Sequence, residues 1–192
     1  MSHVDHGRSR LAARLALIAL AAGLAGCGGA SAPAPSEPTA PTASAPATAA
    51  LRTVTVYFPD AQGDRLVLVG ERRSVPADAP PLRLALDQLA AGPRAAGLLR
   101  ALPPGAAVTA ATLSGGTARI DLDAAFARGY PSGGAAAEIA VLAPLVFTAT
   151  GVPGAHRALI TVEGRTPELA GSQFDLSRPL TRADFPGDLL VR

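Results

Sequence analysis

Few residues in this chain are of the types that do covalent or acid–base chemistry. There is one cysteine, Cys27, and of three histidines only His156 lies beyond the first six residues. Asp121 and Asp123 sit two positions apart, a spacing that lets two carboxylates share one face as a general acid and base would. The same spacing suits structural duty, and the local sequence favours it. Asp123 stands where a helix wants an N-cap, and Asp121 stands at a strand end where a carboxylate accepts loop amides. Nucleophilic catalysis needs a nucleophile, a base and a group that orients the base. There is no Gly-x-Ser-x-Gly elbow, and His156 follows a Pro-Gly turn at the start of a strand, the setting of a surface residue. Gly129-Tyr130-Pro131-Ser132-Gly133-Gly134 precedes a helix and offers amides to an anion, but it lacks the Lys and Ser/Thr of a phosphate loop and reads as a turn. Ligand residues do not recur at the spacings of a metal site. The expectation is no catalytic set, no metal and no cofactor: not an enzyme.

Cys27 has chemistry of another kind. It follows Leu24-Ala25-Gly26, which close an apolar run from Leu15 to Leu24, and Arg8, Arg10 and Arg14 precede that run. Charge holds such a start on the cytoplasmic side while the apolar run enters the membrane. The run is half the ~20 apolar residues that a spanning helix needs. Ser9 separates Arg8 from Arg10, so the adjacent pair of a twin-arginine signal is missing. Leu24-Ala25-Gly26-Cys27 resembles the lipobox of bacterial lipoproteins, in which the signal peptidase reads the residues before the cysteine. The cysteine is then lipidated and becomes the new N-terminus. The resemblance implies that residues 1–26 are a signal peptide and that Cys27 carries a lipid anchor. It also places the rest on the extracytoplasmic side of the cell membrane. Two acyl chains hold a membrane firmly where one is marginal, and a thioether cannot mispair in an oxidising compartment. The alternatives are an ordinary secretory signal with an incidental cysteine, and an uncleaved anchor helix.

The net charge of +2 overstates the basicity of the working chain. All 17 basic residues are Arg; three of them and one of the 15 acids lie before Cys27, which leaves 14 of each sign. A neutral chain offers no basic surface to nucleic acid. Residues 28–50 hold only Gly, Ala, Ser, Pro, Thr and Glu37. With no large apolar side chain, the stretch cannot bury enough surface to offset chain entropy. Residues 27–50 therefore read as a lipidated cysteine followed by a disordered Ala/Pro/Ser/Thr linker. At ~3 Å per residue in an extended proline-rich form, the linker reaches on the order of 70 Å.

Residues 51–192 hold every Phe and Tyr and are long enough for one domain. Leu51 to Phe58 alternates as a strand, Pro59 to Asp64 reads as a turn, and a second strand runs from Leu66 to about Val75. Pro81 suits the first turn of a helix in which Leu82, Ala85, Leu86 and Leu89 repeat at helical spacing before Gly92-Pro93 stops it. Ala107 to Leu113 and Thr117 to Leu122 are strands joined by a hairpin at Gly115-Gly116. Asp123 caps a short turn, and Ala135 to Thr150 is a second long helix with Pro144 inside it, which should kink it. Arg157 to Glu163 is a last strand, and the tail from Arg165 is less regular. Arg72-Arg73 reads as a solvated strand face. The order implies an α+β domain, an antiparallel or mixed β-sheet with two main helices on one face.

The pattern resembles a GerMN domain, a module named from spore-germination proteins and found also in actinobacterial envelope lipoproteins. The likeness rests on Val54-Thr55-Val56-Tyr57-Phe58-Pro59, on Leu86-x-x-Leu89-x-x-Gly92-Pro93, and on Gly116 to Asp123 followed by Phe126. Leu145 to Thr150 with Pro153-Gly154 adds support, and the best match covers residues 51–165. Pro144 departs from the family's usual helix. The resemblance implies a lipid-anchored, non-catalytic envelope protein that binds another protein or peptidoglycan in envelope assembly or a sporulation- or germination-related process. The alternative is a small-ligand carrier or solute-binding lipoprotein; an enzyme acting on the wall ranks third.

Overall fold

The computed structural model of the protein describes residues 50–63, 65–169, 171–187 and 189–192. The expected signal peptide, Cys27 and all of the linker but Ala50 lie outside them. Alternating β-branched residues build β1 (Leu51–Gln62), which pairs antiparallel with β2 (Arg65–Pro76). The strands run further into the expected turn than its composition suggests. Pro59 is tolerated because it pairs opposite Leu68 at a position whose backbone faces away from β2. Its carbonyl accepts instead from the Leu99 amide at 2.8 Å. Two residues further back, the Tyr57 amide also faces outward, to the Thr148 hydroxyl at 3.0 Å.

Helix α1 (Pro81–Ala91) starts at the expected proline and ends at Gly92, and it buries Leu82, Ala85, Leu86 and Leu89. Strands β3 (Val108–Ser114) and β4 (Thr117–Leu122) form the expected hairpin. Gly115 and Gly116 both have positive φ (54° and 75°), the backbone a two-residue turn of this hand demands. Asp123 caps α2 (Ala124–Gly129), its carboxylate accepting the Phe126 amide at 3.2 Å. Helix α3 (Ala135–Thr150) runs on as helix through Pro144. It leads to β5 (Arg157–Val162), parallel to β4, the arrangement that a helical crossover permits. A 3₁₀ turn (Arg182–Asp184) and a two-residue β6 (Leu190–Val191), parallel to β2, end the chain.

The fold is α+β and both sheets are mixed. The strands form two three-stranded sheets, β1-β2-β6 and β3-β4-β5, where one sheet was expected. The reason is α3. Its sequence reads as one apolar stripe, but every residue from Leu142 to Ala149 is buried, so the helix is enclosed and packs on β1 as well as β5. Helix α1 likewise touches β1, β3 and α3. One hydrophobic core joins both sheets, with Val56, Phe58, Leu86, Ile120, Leu142 and Ile160 near its centre.

One buried charge ties the layers. Arg72 is exposed as expected, but Arg73 is only 2% exposed, which corrects the reading of the pair as a solvated face. Its guanidinium lies over the Phe58 ring, 5.0 Å from the centroid. It donates to the carbonyls of Gln88 and Gly92 at 2.7 Å each, and it pairs with Glu71. Those carbonyls belong to the last turn of α1 and its cap, where a cation is favoured. Arg73→Ala should cost about 3–5 kcal/mol, because it uncaps α1 and strands the Glu71 carboxylate. Arg73→Lys should recover little of this, since one ammonium cannot span acceptors set for a planar fork. Urea unfolding followed by circular dichroism reads both.

Candidate functional site

Each acid singled out for chemistry is held by the scaffold. Asp121 accepts from the Thr161 hydroxyl and the Gly164 amide, both at 2.7 Å, and from the Thr109 hydroxyl at 2.8 Å. Burial alone would raise its pKa, but these donors and Arg119 outweigh it and hold the carboxyl below the ordinary range. Asp123 spends itself on the cap of α2, so the two carboxylates engage different partners. His156 is exposed; its backbone amide bonds Gly116. In the Gly129–Gly134 loop, Gly129 serves packing: a Cβ there would come within 2.5 Å of the Pro103 Cβ. Among the described residues no group of three or more His, Cys, Asp and Glu could hold a metal ion. Leu24, Ala25, Gly26 and Cys27 lie outside the described residues.

One concave surface among the described residues lies where the tail meets α3. One part is a cavity of about 340 Å³ between Leu66, Ile139, Pro186, Leu189 and Leu190, with Arg65 at its side. The next, about 460 Å³, shares Ile139 and Pro186 and is walled by Phe174, Phe185, Arg178 and Asp184. Its floor suits an apolar group, and Arg178 and Asp184 close its polar side by pairing with each other at 2.6 Å. Arg178, with two donors in the Thr181 amide and hydroxyl, holds the Asp184 carboxyl down at about 2.

Sequence reading missed the residues that build this groove. Glu138 stands in the first turn of α3 and is 1% exposed. It accepts from the Tyr130 hydroxyl at 2.9 Å, the Ser172 hydroxyl at 2.8 Å and the Gln173 amide at 3.1 Å. Burial, and then Glu138 itself, push the Tyr130 phenol well above its usual range. The tail segment so held presents Phe174 against Phe185, whose ring meets Phe147, whose ring meets Tyr57. Arg182 lies over Phe147 and bonds the Thr150 hydroxyl and the Phe147 carbonyl at the end of α3. The local signal for this order was the spacing of Thr181 and Asp184, which close a capping box around the 3₁₀ turn.

The result is an α+β domain with Asp121, Asp123, Glu138 and Asp184 built into the frame and an apolar groove under its C-terminal tail. The chain belongs to the Germane family of sporulation and spore germination domains, whose model matches residues 55–168. The likeness to GerMN domains holds in three dimensions. The tandem GerMN domains of the sporulation protein GerM from Bacillus subtilis superpose with a TM-score of 0.55 and 20% identity, covering 73% of this chain and 49% of theirs. The first GerMN domain of that protein matches with a TM-score of 0.50 and 18% identity, over 69% of this chain and 99% of its own. This chain thus spans about half the length of the tandem structure. At such identities the likeness is one of fold. No curated protein sequence matches the chain.

Two outcomes follow from the site's geometry. Glu138→Ala leaves a buried phenol, a hydroxyl and an amide without their acceptor, and should cost about 2–4 kcal/mol in thermal or urea unfolding. Glu71, Asp121 and Asp184 all have folded pKa values below their unfolded ones. Their contribution is complete above about pH 4.5 and lost as pH falls through the folded values, to about 2 for Asp184. The urea midpoint should therefore fall steadily over that range, and Asp184→Asn should flatten its acid end.

Proposed function

We propose that this chain is a lipid-anchored, extracytoplasmic envelope protein whose GerMN-type domain is a non-catalytic binding module. Its partner is another envelope protein or peptidoglycan, in envelope assembly or a process related to sporulation or germination. The observation that carries the reading is the fate of the acids. Glu71, Asp121, Glu138 and Asp184 each accept several hydrogen bonds from within the domain. For Glu71, Asp121 and Asp184 these bonds favour the ionised form, which makes them poor proton carriers. A lipid on Cys27 and a linker of on the order of 70 Å would keep the domain near the outer face of its membrane.

A second reading is the small-ligand carrier, and the groove of about 340 Å³ under the tail favours it. Pockets of that size hold small ligands, and this one is walled by Leu66, Ile139, Pro186 and Leu189.

Crosslinking in intact cells, followed by recovery of the full chain, separates the two. Repeated capture of one envelope protein or of peptidoglycan fragments supports the binding module. Recovery of neither, with a lipid co-purifying from native membranes, supports the carrier. The anchor is tested separately: Cys27→Ala should move the chain from the membrane to the soluble fraction or leave it unprocessed. Unchanged membrane attachment would overturn the lipid anchor.

A further inference from the structure

Arg52 is a cation that the frame leaves without an anion. The alternation of β1 sends it to the same side as Val54 and Val56, and its partner across the hairpin, Val75, is buried. The side chain is therefore half-buried. Its Nη2 donates to the Ala77 carbonyl, in the loop whose Ala77 amide bonds the Ala50 carbonyl at 2.8 Å. Its Nε is buried and has no acceptor among the described residues. The ion pairs among those residues belong to Arg73, Arg83 and Arg178, and Asp78, exposed beside Ala77, is not in one. Arg73 also leaves its Nε bare, but Glu71 matches its charge. Arg52 has one carbonyl and no carboxylate, although a guanidinium stays charged and a buried donor without an acceptor is costly.

A cavity of about 400 Å³ opens beside this group, between Thr53, Val54, Ala77, Pro81, Val152 and Pro153. Among the described residues Arg52 is the one charged side chain that lines it. The helix ends that border the cavity do not cancel the charge. Pro80 caps α1 without a side-chain bond, and the first turn of α1 holds no acid, so the positive end of its dipole is unmatched. At the end of α3 the carbonyls of Phe147, Thr148 and Ala149 are taken by the amides of Gly151 and Val152.

We propose that this cavity binds a carboxylate carried on a small apolar group: the free end of a peptide with a small last side chain, or a short free acid. A carboxylate seated there gives the guanidinium the acceptor that the fold does not supply, and the planar fork matches its two oxygens. Val54, Pro81, Val152 and Pro153 take the apolar part. One fixed positive charge suits a monoanion. A phosphate dianion calls for a second cation, and none lines the cavity among the described residues. The site shares no lining residue with the groove under the tail. It rests neither on the lipid anchor nor on which envelope partner is captured.

The test titrates the full-length protein in detergent and follows the backbone amide signals of Thr53, Ala77 and Val152 by NMR. The probes are N-acetylalanylalanine, its C-terminal amide, butyrate and inorganic phosphate. The dipeptide acid should shift these signals saturably, with a Kd on the order of millimolar for so small a ligand. Its amide should bind about tenfold more weakly or worse, and so should the acid on Arg52→Gln. Should Arg52→Gln lower the melting midpoint, Thr53→Glu on the exposed rim replaces it, since a carboxylate built in beside Arg52 competes with the ligand. Arg128→Gln, exposed on α2, should leave binding unchanged. Tighter binding of the dipeptide than of butyrate assigns the site to peptide ends, and the reverse assigns it to free acids; either upholds it. The proposal is overturned if no saturable shift appears or if the amide binds as well as the acid. Undiminished binding to the Arg52 or Thr53 variant, or tighter binding of phosphate, overturns it too.

Discussion

A guanidinium buried where sheet and helix meet sets the geometry of this domain. Arg73 belongs to β2, yet its hydrogen bonds end on the last turn of α1, on Gly92 and on Glu71. A charge this far from water must be matched by acceptors in place. Burial would raise the Glu71 pKa, but the Ala95 amide, Arg73 and the Arg94 amide together lower it, so the partner carboxylate stays ionised. The pair therefore fixes three things together: where α1 ends, how the 92–95 segment turns, and how β2 faces the core. The Phe58 ring beneath the guanidinium completes the site.

A second buried group, Glu138, does for the C-terminal tail what Arg73 does for α1. The tail has little regular structure to hold it, and one carboxylate gathers a phenol, a hydroxyl and an amide from two loops. The aromatic rings from Phe174 to Tyr57 then lay the tail against α3. The groove under the tail lies between this anchored segment and Ile139 of the helix.

The structural roles that the sequence favoured for Asp121 and Asp123 are the ones their hydrogen bonds show. Asp121 ties β4 to the β5 exit, and Asp123 caps α2. The apolar groove under the tail is a surface feature of the described residues, and Cys27 lies beyond them.

Most elements were legible locally. Alternation along the chain announces β1 and β5, and Pro81, Gly92, Asp123 and the Gly115-Gly116 turn mark where elements begin and end, because each rule acts over a few residues. The order of the elements implied the α+β class, and the motifs shared with GerMN domains pointed to the family. The burial of Arg73 and Glu138 was not legible. A polar residue in sequence shows no trace of hydrogen-bond partners 15 to 35 positions away, and hydropathy assigns it to solvent. Nor could periodicity reveal that α3 is enclosed from Leu142 to Ala149, or that the strands divide into two sheets. By itself the sequence determined which segments are strands, helices and turns, and the Leu24–Cys27 pattern that suggests an address. Only the tertiary structure decided which charges are buried and where a groove forms, since those depend on packing between segments far apart in the chain.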